Sequence, residues 1–473
     1  MTSAGRLPVV AIVGRPNVGK STLFNALTKT RDALVADMPG VTRDRIYGRA
    51  ELGEIRVILI DTGGLESAGD EIEMGRERQT RMAIDEADLV IFLTDARDGI
   101  MPADLEIAGW LRRLDKPLLH AINKSDGLDS DAVLAENLEL GLVPYCMISS
   151  SHRRGLDQLG QLVADALPAD CLQSEAVLPQ DGIQLALIGR PNAGKSTLLN
   201  RLLGYERALA TAVPGTTRDP IRARVERDGE VFHLVDTAGI RRRRGSHEGI
   251  ERFTTIKALQ AMEQAQVVVL MMDALEGITD QDARLAGHVV EAGRGLVLAL
   301  NKWDGLSEKA RRSLLQDAAE RLNFALFAPV VTVSALHGSG LGELISAIKH
   351  VHACASQNLS TPALTRTVRK AVEAHPPPGG KQATPKLRYA HAGGIFPTRI
   401  VIHGSRTKQL AEQYQRYLIN TFRRNFDLTG VSVRLLFRES DNPYAGRRNP
   451  LTPRQVEKRQ RLKRFVRSRK RKS

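Results

Sequence analysis

The sequence predicts an α/β protein: two tandem copies of a parallel sheet with helices on both faces, then a smaller α+β domain and a basic tail. Three observations predict it. A long internal repeat runs through the first three-quarters of the chain, short aliphatic runs alternate with helix-length segments inside each copy, and charge and pattern change abruptly near Ser356.

The repeat sets the architecture. VVAIVGRPNVGKSTLFNAL from Val9 returns as QLALIGRPNAGKSTLLNRL from Gln184, with Gly14 matching Gly189 at a shift of 175. PGVTRD from Pro39 returns as PGTTRD from Pro214, and DTGG from Asp61 as DTAG from Asp236, at the same shift. NKSD from Asn123 and NKWD from Asn301 lie 178 apart. A duplicated domain is the economical explanation, with copies at 1–168 and 183–354 joined by an aperiodic linker, 169–182.

Within each copy the strands come first. VVAIV before Gly14, VILI before Asp61, LVIFL from Leu89 and PLLHAI before Asn123 have counterparts in LALI, VFHLV, VVVLMM and LVLAL. Continuous Val/Ile/Leu runs separated by helix-length segments argue for parallel strands with helical crossovers. Every motif then directly follows a strand, on the edge where open α/β sheets bind ligands.

Composition excludes several classes. The 42% hydrophobic content can fill several cores, and the 473 residues exceed one ordinary domain of roughly 100–200. No apolar run approaches the roughly 20 residues that span a bilayer, so a cytoplasmic protein without membrane contact is expected. Cys146, Cys171 and Cys354 are too scattered for a disulfide framework or a metal site and read as reduced thiols. The net charge of +14 is uneven: Arg447–Ser473 carries +12, Ala353–Gly446 carries +9, and the first 352 residues carry −7. A polyanion contact is expected at the basic end.

Gly14-Arg15-Pro16-Asn17-Val18-Gly19-Lys20-Ser21, followed by Thr22, and Gly189-Arg190-Pro191-Asn192-Ala193-Gly194-Lys195-Ser196, followed by Thr197, match the P-loop pattern between a strand and a helix. Their glycines let backbone N–H groups cradle phosphates at a helix N-terminus. Lys20 and Lys195 are expected on the β and γ phosphates, and Ser21 and Ser196 on Mg²⁺. Asp61-Thr62-Gly63-Gly64 and Asp236-Thr237-Ala238-Gly239 end strands. Their Asp carboxylates suit the metal, and Gly64 and Gly239 the γ phosphate. Thr42 and Thr217 lie in polar segments that suit a switch closing on Mg²⁺. Lys20, Thr42 and Gly64, with Lys195, Thr217 and Gly239, are thus the expected catalytic groups.

Asn123-Lys124-Ser125-Asp126 and Asn301-Lys302-Trp303-Asp304 name the base. The Asp carboxylate accepts from N1–H and the 2-amino group of guanine; adenine offers neither donor, leaving a desolvated charge unpaired. The Asn braces the loop and the Lys stem packs over the ring. Ser149-Ser150 and Ser334-Ala335 are placed to offer N–H groups to the guanine oxygen.

Beyond Ser356, Leu364, Val368 and Val372 recur at helical spacing, KLRYAH and RIVIH read as strands, and Leu410, Tyr414, Tyr417, Leu418 and Phe422 mark a second helix. Val431, Val433, Leu435 and Phe437 alternate as a last strand. The domain is set at 355–440. It contains no G-x-x-G loop of the kind that clamps nucleotides in KH domains, so an RNA-binding and a docking role both stay open. The tail, 441–473, has one aromatic, Phe465, and little apolar periodicity; it is expected to be disordered when free and held near RNA by charge.

With two full motif sets and this third domain, nearly the whole chain resembles the Der (EngA) family, bacterial double GTPases of the Era-like group named for ribosome assembly. The resemblance implies two P-loop GTPase domains, a KH-like third domain, GTP hydrolysis to GDP and phosphate, and a role with the large (50S) ribosomal subunit and ribosomal RNA, as a monomer that does not bind DNA. Where related enzymes place Gln after D-x-x-G to orient water, this chain has Leu65 and Ile240, and Arg241–Arg244 reads as a solvated switch segment, so unaided turnover is expected to be slow. The family also implies a remedy, a K⁺ held partly by Asn17 and Asn192. The competing reading is an RNA-binding scaffold in which one copy holds nucleotide without turnover.

Overall fold

The computed structural model describes residues 7–28, 47–53, 55–62, 84–168, 181–204, 223–227, 229–235, 247–378, 385–407 and 410–439, with backbone only for 247–255. The first domain holds β1 (Val9–Val13), β2 (Tyr47–Leu52), β3 (Ile55–Asp61), β4 (Leu89–Asp95), β5 (Leu118–Asn123) and β6 (Tyr145–Met147), in the order β2-β3-β1-β4-β5-β6. The second holds β7 (Ile183–Gly189), β8 (Ala223–Arg227), β9 (Glu230–Val235), β10 (Val267–Asp273), β11 (Gly295–Asn301) and β12 (Val330–Thr332), in the order β12-β11-β10-β7-β9-β8. Read in the same direction the two orders coincide, as a duplication requires.

Within these two sheets all pairings are parallel except β2 with β3 and β8 with β9. These antiparallel edge strands, and the three-residue β6 and β12, were not legible in the sequence. YGRAEL and ARVER are polar, half-exposed edges, and three residues are too few for a period to show.

The aliphatic runs are buried throughout, because helices cover both sheet faces. In the first domain, α1 (Lys20–Leu27) and α4 (Leu156–Ala166) bring Leu23, Phe24, Leu159 and Val163 onto Val10, Ile12, Leu59 and Ile91. On the opposite face α2 (Pro102–Leu111) brings Ala108 and Leu111 towards Val9, Ala11 and Phe92, and α3 (Ser130–Leu138) connects β5 to β6. The second domain repeats the plan with α5 (Lys195–Leu203), α6 (His247–Gln264), α7 (Asp280–Ala292), α8 (Glu308–Arg321) and α9 (Leu341–Ser356). Each fully buried Leu, Ile or Phe here contributes roughly 1.5–3 kcal/mol of apolar burial.

The third domain runs α10 (Thr361–Ala374), β13 (Lys386–Gly394), β14 (Thr398–Ser405), α11 (Glu412–Asn425) and β15 (Val433–Glu439), the element order expected. Leu364 and Val368 of α10 and Leu418 and Phe422 of α11 close over Ala390, Ile400 and Ile402. Helix α9 runs on to Ser356, past the boundary expected at 355, so the chain leaves the helix at Gln357. Cys146 and Cys354 are free and buried; Cys171 lies outside the described residues. Cys354 sits 3.7 Å from Nε2 of His350, one turn earlier on α9.

The first two domains share one continuous apolar cluster that includes Leu7, Ile58 and Ile60 of the first and Leu259 and Met262 of α6. At its rim Glu263, near the end of α6, meets Arg49 of β2 at 3.2 Å, Arg56 of β3 at 3.3 Å and Arg294 at 3.1 Å. Burial pushes the Glu263 carboxyl up, but Arg49, Arg294 and Arg56 together outweigh it and hold the group below the ordinary range.

Candidate guanine-nucleotide sites

Both sites grow from the central strand of a sheet. Strand β1 lies between β3 and β4, and β7 between β9 and β10, which is where the strand order reverses and a crevice opens. The chain leaves β1, turns through Asn17 at φ 67° and Gly19 at φ 99°, and enters α1 at Lys20. It leaves β7 through Asn192 at φ 63° and Gly194 at φ 97° and enters α5 at Lys195. The left-handed Gly19 and Gly194 are also sterically required: a Cβ there would lie 2.5 Å from Nδ2 of Asn123 and 2.0 Å from Nδ2 of Asn301.

Lys20 is buried, and its ammonium donates to the carbonyls of Gly14 at 2.7 Å and Arg15 at 2.9 Å. Lys195 donates to the carbonyls of Gly189 at 2.7 Å and Arg190. Desolvation pushes Lys195 down to about 8, with Asp282 opposing and Arg190 reinforcing the shift. Each loop thus curls over its own lysine ammonium, an arrangement that fits a phosphate chain. Asp61 is buried at the end of β3, level with Ile12 of β1, and the Thr62 hydroxyl donates to the Ile12 carbonyl at 2.7 Å. Ser21 and Thr22 open α1 on its exposed side, as Ser196 and the exposed Thr197 open α5. Ser21 at a helix start and Asp61 on the neighbouring strand are hard oxygen donors flanking the loop, a set that fits Mg²⁺.

The base-reading loops are locked to the phosphate loops. Asn123 Nδ2 donates to the Val18 carbonyl at 2.8 Å, while its Oδ1 accepts from the Ser150 N–H at 3.0 Å and hydroxyl at 2.9 Å. Asn301 donates to the Ala193 carbonyl at 2.8 Å and accepts from the Ala335 N–H at 2.9 Å. In this structure the Ser150 and Ala335 N–H groups are donated to the Asn braces. Asp126 accepts from the Ser149 hydroxyl at 2.7 Å, and that bond leads the causes holding its carboxyl below the ordinary range, with Arg97 and His152 adding to it. Asp304 is lowered in the same sense, first by Ser334. Ser125 N–H and hydroxyl reach the Ile148 carbonyl, and the Arg311 guanidinium lies 5.5 Å over the Trp303 ring.

Sequence reasoning missed a set of bracing carboxylates. Lys124 and Lys302, both at positive φ, are ion-paired to Asp95 and Asp273 at the ends of β4 and β10. Lys124 also donates to the Asn17 carbonyl at 3.0 Å. Arg15 is turned onto Asp98 at 2.8 Å and the fully buried Asp104 at 3.2 Å; Arg190 pairs with Glu276 at 2.8 Å and Asp282 at 3.1 Å. These arginines therefore hold the outer wall of the loop through acids at the start of α2 and α7. The repeat held the signal, since Asp95, Asp98 and Asp104 recur as Asp273, Glu276 and Asp282 at the shift of 178. Pro16 and Asn17 are exposed, Pro191 partly so, and Asn192 exposed. Thr42, Gly63, Gly64, Leu65, Thr217, Asp236, Thr237, Ala238, Gly239, Ile240 and the Arg241–Arg244 run lie outside the described residues.

The family described as 50S ribosome-binding GTPase matches residues 9–124 and 184–302, one match per copy, and the KH-domain-like C-terminal domain of EngA bacterial GTPases matches 358–438. GTPase Der of Xanthomonas axonopodis pv. citri (strain 306) is 50% identical over 465 residues, covering 97% of this chain and 99% of its own. The chain belongs to the GTPase Der family. GTPase Der of Thioalkalivibrio sulfidiphilus is 49% identical over 461 residues, covering 97% of this chain and 99% of its own. A crystal structure of Era with MgGDPNP and a 16S ribosomal RNA fragment aligns with 21% identity and a TM-score of 0.29, covering 59% of this chain and 98% of that one, a likeness too distant to carry function. As a Der family member the chain is a double, Era-like GTPase with a KH-like third domain, and it hydrolyses GTP to GDP and phosphate. Among the described residues no helix is long and apolar enough to cross a membrane.

Proposed function

We propose that the two sites work as slow, cation-assisted switches whose nucleotide state sets the docking of a basic RNA-facing end onto the large (50S) ribosomal subunit during its assembly. The observation that carries the switch is the bond from Asn123 to Val18 and its twin from Asn301 to Ala193, which join base recognition to phosphate recognition in each copy. The ribosomal destination is supported by the family descriptions and by the contrast between the −7 of residues 1–352 and the +12 of residues 447–473.

In this reading GTP docks its base on Asp126 or Asp304, and Lys20 or Lys195 exchanges loop carbonyls for β and γ phosphate oxygens. Ser21, Asp61 and Thr42, or Ser196, Asp236 and Thr217, would hold Mg²⁺, which when bound would neutralise charge on the phosphates. Water adds to the γ phosphorus as its bond to the β–γ bridging oxygen breaks, giving GDP and phosphate. Gly64 and Gly239 offer N–H groups to the γ phosphate, and Asn17 and Asn192 help to hold K⁺. With Leu65 and Ile240 where a water-orienting Gln would stand, turnover is slow. The protein works in the cytoplasm as a monomer, and its domains divide as 1–168, 183–354, 355–440 and the tail.

Sedimentation with ribosomal subunits tests the proposal. Binding to the large subunit that differs between GDP and a non-hydrolysable GTP analogue is expected; equal binding in both states, or none, would overturn it. A Lys20→Ala or Lys195→Ala variant that leaves total turnover unchanged would favour the reading in which that copy holds nucleotide as a structural ligand.

A further inference from the structure

The three-stranded sheet of the third domain has two different faces. Its inner face, Ala390, Ile400, Ile402 and Leu435, is buried under α10 and α11. Side chains alternate along a strand, so their neighbours line the other side. Strand pairing arranges these in rows: Tyr389 opposite His403 beside Arg438, then His391 opposite Val401 beside Leu436, then Arg399 beside Arg434. The last row meets the second domain, where Arg434 reaches the Glu291 carbonyl and Ser432 the Val290 carbonyl. The first row faces outward, with Tyr389 44% exposed; in the second, Leu436 is 41% exposed, while Val401 between it and His391 is buried.

We propose that this outer face, centred on Tyr389 and His403, is a stacking platform for unpaired RNA bases, flanked by Arg438, Arg388 and Lys386 as phosphate contacts. The rings of Tyr389 and His403 lie parallel, 4.3 Å apart and 7° from coplanar, so the tyrosine is fixed on one side and exposed beyond it. His391 approaches His403 with 3.2 Å between their Nε2 atoms, a contact in which one nitrogen donates and the other accepts. Only one of the two nitrogens can then carry a proton. Desolvation, helped by His391 and Arg438, also holds His403 below its ordinary range.

An exposed, preordered aromatic in a basic surround fits a single-stranded nucleic acid, whose bases stack on such rings regardless of sequence. Residues 353–446 carry +9 and residues 447–473 a further +12, a surround that favours a polyanion over a protein face. A duplex keeps its bases stacked on one another and offers this ring nothing but its ends. The platform needs no G-x-x-G loop, which the chain lacks in this domain. The inference rests on the ribosomal reading for its source of RNA.

The test uses the full chain and a short, labelled, unstructured RNA, read by fluorescence anisotropy beside a duplex of equal length. Tyr389→Ala should weaken single-strand binding about 5- to 150-fold, the equivalent of ~1–3 kcal/mol for one stacked base. Tyr389→Phe should stay within about twofold of the parent, because the ring is kept. Tyr389→Ala should leave the salt dependence unchanged, while Arg438→Ala should lower its slope by roughly 0.7. Thermal unfolding of the third domain unchanged from the parent in each variant shows that its fold is intact. Equal single-strand affinity for parent and Tyr389→Ala, or an equal loss on the duplex, overturns the platform. If the parent binds the large subunit while Tyr389→Ala loses nothing, the ribosomal reading stands without the platform. If the parent ignores the subunit while Tyr389→Ala loses single-strand affinity, the platform stands and the ribosomal reading fails.

Discussion

The side-chain amide of Asn301 donates to the main-chain carbonyl of Ala193 across 2.8 Å, fastening the loop that reads the base to the loop that holds the phosphates. The same amide accepts from Ala335, so one side chain ties three loops. Asn301→Ala strands the Ala193 carbonyl and the Ala335 N–H, both buried. With about 1–3 kcal/mol for each orphaned group, the second domain should lose about 2–6 kcal/mol of stability. Affinities for GDP and for a GTP analogue should fall together, since both ligands share base and β phosphate. Thermal unfolding and binding of a fluorescent nucleotide check this; a selective loss of the triphosphate would contradict it.

Proton linkage at Lys195 gives a second expectation. In the free site its ammonium is pushed down to about 8, chiefly by desolvation. Phosphate oxygens stabilise the charged form, so the bound state has the higher pKa and binding takes up a proton wherever free Lys195 is neutral. Affinity should therefore weaken as pH rises above about 8. In a Lys20→Ala variant, which isolates the second site, calorimetry in buffers of different ionisation heat should find GDP binding taking up most of one proton at about pH 8.5 and much less at about pH 7. Zero uptake at the higher pH would exclude the linkage.

Glu263 offers a test of communication between the domains. Its arginine partners Arg49 and Arg56 sit on β2 and β3, and β3 ends at Asp61 of the first site, while α6 follows the D-x-x-G segment of the second. Glu263→Gln keeps the shape and removes the charge that three guanidiniums share. A loss of about 3 kcal/mol is expected, as for other broken buried pairs. Calorimetry should then resolve separate unfolding of the two GTPase domains. Nucleotide at one site should also cease to alter affinity at the other. Undiminished coupling would remove Glu263 from the path.

The Asn17 and Asn192 positions, left-handed and exposed, bear on the monovalent cation. Replacing K⁺ by Na⁺ at constant ionic strength should slow GTP hydrolysis at least about tenfold, a modest share of the ~10³–10⁵ that a positioned cationic finger provides. Asn17→Ala and Asn192→Ala should each remove the K⁺ response of their own site. A rate indifferent to the cation would refute the idea.

Much of this was legible in the chain itself. The buried strands could be read because a parallel sheet covered on both faces demands unbroken aliphatic runs, as in LVIFLTD and VVVLMMD. Strands β2 and β8 escaped because an edge exposed on one side tolerates Arg and Glu, leaving a pattern no stronger than a loop's. Asp95 and Asp273 escaped for another reason. Each is an ordinary strand-ending acid until the fold sets it against Lys124 or Lys302.

The sequence by itself determined the duplication, the two phosphate loops, the choice of guanine and the basic end, because each is written in contiguous residues whose chemistry does not depend on distant partners. Only the tertiary structure decided that Asn123 holds Val18, 105 positions away, that Arg49 and Arg56 of one GTPase domain converge on Glu263 of the other, and that Tyr389 lies flat on His403. Those pairings follow from which strands become neighbours and in what register. Backbone hydrogen bonding and burial fix that over the whole sheet at once, beyond what any local pattern records.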